Sequence, residues 1–116
     1  MVSLIRWEFD LRTAEMRAQA LLRSWLSPEQ RTQYDVRGYF EVRGSDSGKR
    51  YRICRGVVFN VQELDSFGLV ANWWCFAPDG VAVGDVNLAQ KIALEKFETE
   101  ALAIANRRRI KGMLGS

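Results

Sequence analysis

GYFEVRGSDSGKRYRICRG, Gly38 to Gly56, is the stretch that decides the fold. Phe40, Val42, Tyr51 and Ile53 alternate with Glu41, Arg43, Arg50 and Arg52, and Ser-Asp-Ser-Gly separates the two runs. Side chains point alternately to the two sides of a strand. The pattern therefore predicts a β-hairpin with one apolar face and one face of arginines around Glu41. The remaining chain has to cover the apolar face, and the arginine face is where function is to be sought.

Working outward, Val57 to Leu64 reads as a third strand, Asp65-Ser66-Phe67-Gly68 as a turn, and Leu69 to Phe76 as a fourth strand carrying Trp73 and Trp74 and ended by Pro78-Asp79-Gly80. Short connections make these an antiparallel meander. Upstream, residues 2 to 9 fit a short strand or the start of a helix. From Leu11 the spacing of Leu11, Ala14, Ala18, Leu21, Leu22 and Trp25 predicts an amphipathic helix of about four turns. Ser27-Pro28-Glu29-Gln30 is a capping box with proline at the first helical position, so a second helix runs to about Arg37 and stops at Gly38. Asp85 is the expected N-cap of a long last helix, Val86 to Arg108, with Val86, Ala89, Ala93, Phe97, Ala101 and Ile104 along its core stripe. Arg107 to Arg109 would sit at its C-terminal end, favoured by the helix dipole. The fold class is thus α+β: two N-terminal helices, a four-stranded antiparallel meander and a long C-terminal helix, in a single domain over residues 1–116 with a frayed tail at 111–116.

Composition narrows the function. At 116 residues, 47% hydrophobic and 27% charged, the chain is an ordinary globular domain, long enough to bury roughly two-thirds of its unfolded surface. No apolar run reaches the ~18–20 residues of a bilayer span, and the N-terminus lacks the basic start of a signal peptide. A cytoplasmic protein with no membrane partner is expected. Cys54 and Cys75 fall in predicted strands and read as small hydrophobes, not as a disulfide. With no histidine and no Cys-x-x-Cys pair, neither a metal site nor a histidine-based catalytic group is on offer, and no cofactor is implied. Among the carboxylates Glu41, Asp46, Glu63, Asp65 and Asp85 no catalytic pair follows from the spacing; Asp46 and Asp65 read as turn formers and Asp85 as a cap, so the chain is not expected to be an enzyme.

The net charge of +3 is unevenly spread: residues 37–56 carry +4 and 107–116 carry +4, against −5 over 57–106. Gly44-Ser-Asp-Ser-Gly48-Lys49-Arg50 fails as a nucleotide-binding P-loop, because its glycine spacing is short, Arg50 replaces the magnesium-binding hydroxyl, and a strand follows. Its backbone N–H groups with Lys49 remain a candidate anion cradle. Arg43, Lys49, Arg50, Arg52 and Arg55 form the candidate nucleic-acid or polyanion surface, with Trp73 and Trp74 as stacking aromatics, one on each side of their strand. In the competing arrangement the arginines pair with Glu95, Glu98 and Glu100 of the last helix. The other functional class is a self-assembling or protein-binding component, since the helices offer more amphipathic surface than a small monomer hides.

LSPEQ at Leu26 to Gln30, GSDSGKRYRI at Gly44 to Ile53, NVQELD at Asn60 to Asp65 and GDVNLAQKIALE at Gly84 to Glu95 resemble a group of small uncharacterised bacterial and phage proteins, over about residues 18–107. The resemblance implies a prokaryotic or viral setting and carries no assigned activity or site residue over to this chain.

Overall fold

A computed structural model describes residues 4–77 and 82–109. The order is α1 (Leu4–Trp25), α2 (Pro28–Arg37), β1 (Tyr39–Arg43), β2 (Arg50–Cys54), β3 (Val61–Leu64), β4 (Val70–Cys75), α3 (Val83–Ile104) and β5 (Asn106–Arg109). The strands form one antiparallel sheet in sequence order, β1-β2-β3-β4-β5. The expected α+β architecture of three helices and an antiparallel meander is present, with a fifth strand, β5, added to the expected four. The end of strand four at Pro78-Asp79-Gly80 and the frayed tail at 111–116 lie outside the described residues.

The hairpin sets the register: Phe40 pairs with Ile53 and Val42 with Tyr51, all on the inner face. Phe40, Tyr51 and Ile53 are completely buried, and each contributes about 1.5–3 kcal/mol by leaving water. Leu22, Leu26, Tyr34, Val61, Trp74, Leu88 and Leu94 complete the core. The α2 capping box is formed in full, with Gln30 N–H donating to Ser27 Oγ and Ser27 N–H to Gln30 Oε1. Gly38 ends α2 at φ 75°, a left-handed conformation that needs no side chain.

Four sequence expectations change. First, the α1 stripe does not all face inward: Ala18 and Leu22 are buried, but Leu11, Leu21 and Trp25 are 52%, 48% and 57% exposed. Glu15 and Gln19, on the other side of the Ala18–Leu22 stripe, carry the polar contacts of α1 to α3 and α2. The Glu15 carboxylate accepts from Val83 N–H (2.8 Å) and Gly84 N–H (3.0 Å), and Gln19 Oε1 accepts from Tyr34 Oη–H (2.7 Å). Second, Asp85 is not the N-cap of α3. The cap position is Ala82, and Glu15 supplies the acceptor from α1. The helices cross so closely that a Cβ on Gly84 would lie 2.5 Å from the Ala18 carbonyl carbon.

Third, β3 starts at Val61, four residues later than expected. Phe59 adopts φ 44°, a left-handed conformation unusual for a bulky residue, which breaks the extended run. Asn60 then closes the 54–60 loop: its backbone C=O accepts from Cys54 N–H and its Nδ2 donates to Cys54 C=O and Gln90 Oε1. Fourth, the stripe expected on α3 is only part of its buried face. Val86 and Ala101 are buried and Ala93 is half-buried, but Ala89, Phe97 and Ile104 are exposed, and Asn87, Gln90, Lys91 and Glu98 are buried with Leu94 instead. These polar groups hold loops: Gln90 Nε2 donates to Phe76 C=O and Asn87 Nδ2 to Gly56 C=O.

Candidate nucleic-acid interface

The loop between β1 and β2 and the kink in α3 are built for each other. Phe97 has non-helical φ/ψ (−139°, 45°), which interrupts the α3 hydrogen-bond ladder. Ser45 fills the break: its N–H donates to Leu94 C=O (2.9 Å) and its Oγ accepts from Glu98 N–H (3.1 Å). Asp46 caps the next turn, its Oδ2 accepting from Thr99 N–H (3.0 Å) and Thr99 Oγ1–H (2.6 Å). In return the Glu98 carboxylate sits inside the loop. Oε1 accepts from Asp46 N–H (2.9 Å) and Ser47 N–H (2.7 Å), and Oε2 from Ser47 Oγ–H (2.5 Å) and Tyr51 Oη–H (2.6 Å). The anion in this N–H cradle is the chain's own Glu98, which a sequence reading had placed only as a counter-ion for arginine. Gly44 is needed beside it, since a Cβ there would lie 2.2 Å from the carboxyl carbon. Burial opposes ionisation of Glu98, but the Ser47, Tyr51 and Asp46 donors outweigh it and hold its carboxyl below the usual range. Burial, and after it Glu98, push the Tyr51 hydroxyl well up. Lys49 is not part of the cradle: its ammonium pairs with Glu63 at 3.6 Å.

The outer face of the sheet is different. Strand alternation puts Tyr39, Glu41, Arg43, Arg50 and Arg52 there, and the register carries one row across all five strands: Glu41, Arg52, Gln62, Trp73, Arg108. α3 packs on the opposite, inner side through Leu94, and α2 lies along the β1 edge, where Gln33 Oε1 accepts from Glu41 N–H and Gln30 Nε2 donates to Glu41 C=O. A groove of about 610 Å³ separates α2 from this face, lined by Thr32, Val36, Tyr39, Glu41, Arg50 and Arg52 among others.

The counter-ion of the arginine ladder is Glu41, not Glu95, Glu98 or Glu100. Arg50 grips it with two N–H groups, at 2.8 and 3.2 Å, and Arg52 stands 3.7 Å away while stacking over the Tyr39 ring at 5.0 Å. The Arg50 hydrogen bond holds the Glu41 carboxyl below its usual range despite partial burial. Glu95 pairs instead with Lys91 on its own helix.

Of the sequence-derived site residues, Arg43, Arg50, Arg52 and Trp73 share this outer face. Three do not. Arg55 lies on the inner side against α1 and α2, over the Tyr34 ring at 4.6 Å and donating to Tyr34 Oη. Trp74 faces inward at 9% exposure, its Nε1–H donating to Glu63 Oε1 at 3.1 Å. Lys49 is at the hairpin tip.

One contributor was missed. Arg107 to Arg109 do not end a helix but form β5, bringing Arg108 beside Trp73. Ala105 leaves the helix with extended φ/ψ (−82°, 153°). Arg107 then stacks over Trp74 at 5.9 Å and Arg108 over Phe59 at 4.6 Å. A triplet of arginines suits an edge strand, where charge discourages pairing with another chain, and that was the available signal.

Among the described residues both cysteines are free, no group of acidic or sulfur ligands could hold a metal ion, and no helix is long and apolar enough to cross a membrane. No family model, no curated protein and no solved structure matches the chain.

Proposed function

We propose that this chain is a non-enzymatic binding module of the cytoplasm that takes nucleic acid on the outer face of its sheet. The observation that carries the reading is the concentration there of Arg43, Arg50, Arg52 and Arg108 with the aromatic rings of Tyr39 and Trp73, on a face that α3 leaves uncovered. Guanidinium groups bind phosphates bidentately, and Arg52 is held in place by Tyr39 while its Nε–H, 3.7 Å from Glu41, makes no hydrogen bond among the described residues. Glu41 neutralises part of the ladder and keeps it ordered.

The test is a titration of a labelled oligonucleotide at two salt concentrations. Replacing Arg50 and Arg52 together by Ala is expected to weaken binding about tenfold or more and to lower the salt slope by about two, with the fold intact. Binding that does not change, or no binding by the wild type at low salt, overturns the reading.

A second reading, self-association, is favoured by one observation: Leu11, Leu21 and Trp25 lie exposed along a single flank of α1. Light scattering across a concentration series checks it. Apolar assembly should persist at high salt and be lost in a Leu21→Glu, Trp25→Glu variant.

A further inference from the structure

The middle of the outer face carries polar groups that the fold leaves without a hydrogen-bond partner among the described residues. Among the five described glutamines, Gln19, Gln30, Gln33 and Gln90 hydrogen-bond within the chain, and Gln62 does not. Trp74 spends its indole N–H on Glu63, whereas the N–H of its neighbour Trp73 has no hydrogen-bond partner among the described residues. Both groups are half-buried, adjacent in one cross-strand row, and flanked in that row by Arg52 on one side and Arg108 on the other. Positive charge therefore stands on both sides of the pair, about three strand spacings or ~14 Å apart, with Glu41 beyond Arg52 at the β1 end, and an amide and an indole lie between the two arginines.

That distribution does not match a duplex, which presents phosphates outward and keeps its base faces stacked inside, where Trp73 would find nothing to cover. It matches a strand whose bases are unpaired. Resting on the nucleic-acid reading above, we infer that the ligand is single-stranded, with one base stacked on Trp73, an edge of that base or its neighbour bonded by Gln62, and the flanking phosphates held by Arg52 and Arg108. The same chemistry is offered by single-stranded RNA and DNA.

The experiment titrates the full chain with a ~12-nucleotide single-stranded RNA, the matching DNA and the corresponding duplex, following tryptophan fluorescence. The expected result is quenching by single strands, binding at least about tenfold tighter than the duplex, and loss of about tenfold in single-strand affinity on Trp73→Ala. Trp73→Phe keeps a ring and a folded sheet; it should retain most of the affinity and lose most of the quenching. Gln62→Ala should narrow the spread of affinities between homopolymers without changing the salt slope. A difference between the RNA and DNA arms would locate a sugar contact beside the same stacked base, and equal binding would leave the contact to base and phosphate; either supports the inference.

Equal affinity for duplex and single strand, or a Trp73→Phe protein quenched as strongly as wild type, overturns it while leaving the broader reading in place if Arg50→Ala, Arg52→Ala still weakens binding. Heparin competing as well as the oligonucleotide, with Trp73→Ala indifferent, also overturns it. No binding to any probe at low salt removes both.

Discussion

Glu98 and Glu41 flank the same hairpin, and their charges are met in opposite ways. Glu98, 3% exposed, pairs with no cation among the described residues: two backbone N–H groups and two hydroxyls surround it. Glu41, half-buried on the outer face, is met by two guanidinium groups, one bonded and one merely near. Neutral donors fixed by backbone geometry suit a buried anion, because they are already desolvated and cannot move away. Mobile cations suit a surface anion, because they keep access to other partners. The inner side of the hairpin is thus committed to structure, and its outer side retains charge that is still available.

Breaking the inner side should have the larger effect. Glu98→Ala leaves the buried Tyr51 hydroxyl and two loop N–H groups without their acceptor and frees the α3 kink, so it should cost about 3–5 kcal/mol in chemical denaturation. Glu98→Gln is a finer probe. Its amide oxygen can replace Oε1 before the two fixed N–H groups, and its NH2 can face the two hydroxyls, which rotate to accept; the cost should fall to about 1 kcal/mol. A Glu98→Gln protein as unstable as Glu98→Ala would show that charge, not hydrogen-bond count, holds the loop. Gly44→Ala attacks the same contact from the strand side and should cost about 2–3 kcal/mol, since the carboxylate it displaces is pinned on both oxygens.

Acid separates the two sites next. Both carboxyls are held below their usual range, Glu98 by loop and Tyr51 donors against burial, Glu41 chiefly by Arg50. A depressed folded-state pKa means that the unfolded chain binds more protons as pH falls. The stabilisation is then fully present above about pH 4.3, the ordinary glutamate value, and is lost as pH drops through the folded-state pKa. High salt should remove the Glu41 share, which is a partly exposed ion pair, and leave the Glu98 share. Acid unfolding of wild type and Glu98→Gln at low and high salt checks this: the two curves should converge at low pH at either salt level.

These two sites also mark what a sequence can disclose. The hairpin was legible because strand alternation is a local pattern, and the α2 boundaries were legible because Ser27, Pro28, Gln30 and Gly38 act within a few residues of one another. Glu98 was not, because its partners lie some fifty residues away and it reads as one more exposed acid on a helix. The same long reach hid the Glu15 cap of α3. Arg107 to Arg109 carried a misleading local signal: positive charge fits a helix C-terminus as well as an edge strand, and only the stacking on Trp74 and Phe59 separates the two. On the outer face, alternation placed Glu41 among Arg43, Arg50 and Arg52, but it could not reveal that Arg50 and Arg52 would share that carboxylate while Arg43 turns to the Gly48 carbonyl.

The smallest expected effect is therefore the one that bears most directly on the outer face. Glu41→Gln should change stability by no more than about 0.5 kcal/mol, because the strand edge stays tied to α2 through the backbone N–H and C=O of residue 41 and exposed ion pairs contribute little. Arg50 would lose an anionic partner and gain two donors free for phosphate. If the ladder binds nucleic acid, affinity at low salt should rise about two- to fivefold and the salt slope steepen, because one repulsive charge has left the face. An unchanged affinity would detach Arg50 and Arg52 from binding altogether. A fall would assign Glu41 the opposite role, as the group that aims the two guanidinium forks, and Glu41→Asp would then have to recover less than the full affinity because its shorter side chain cannot reach both.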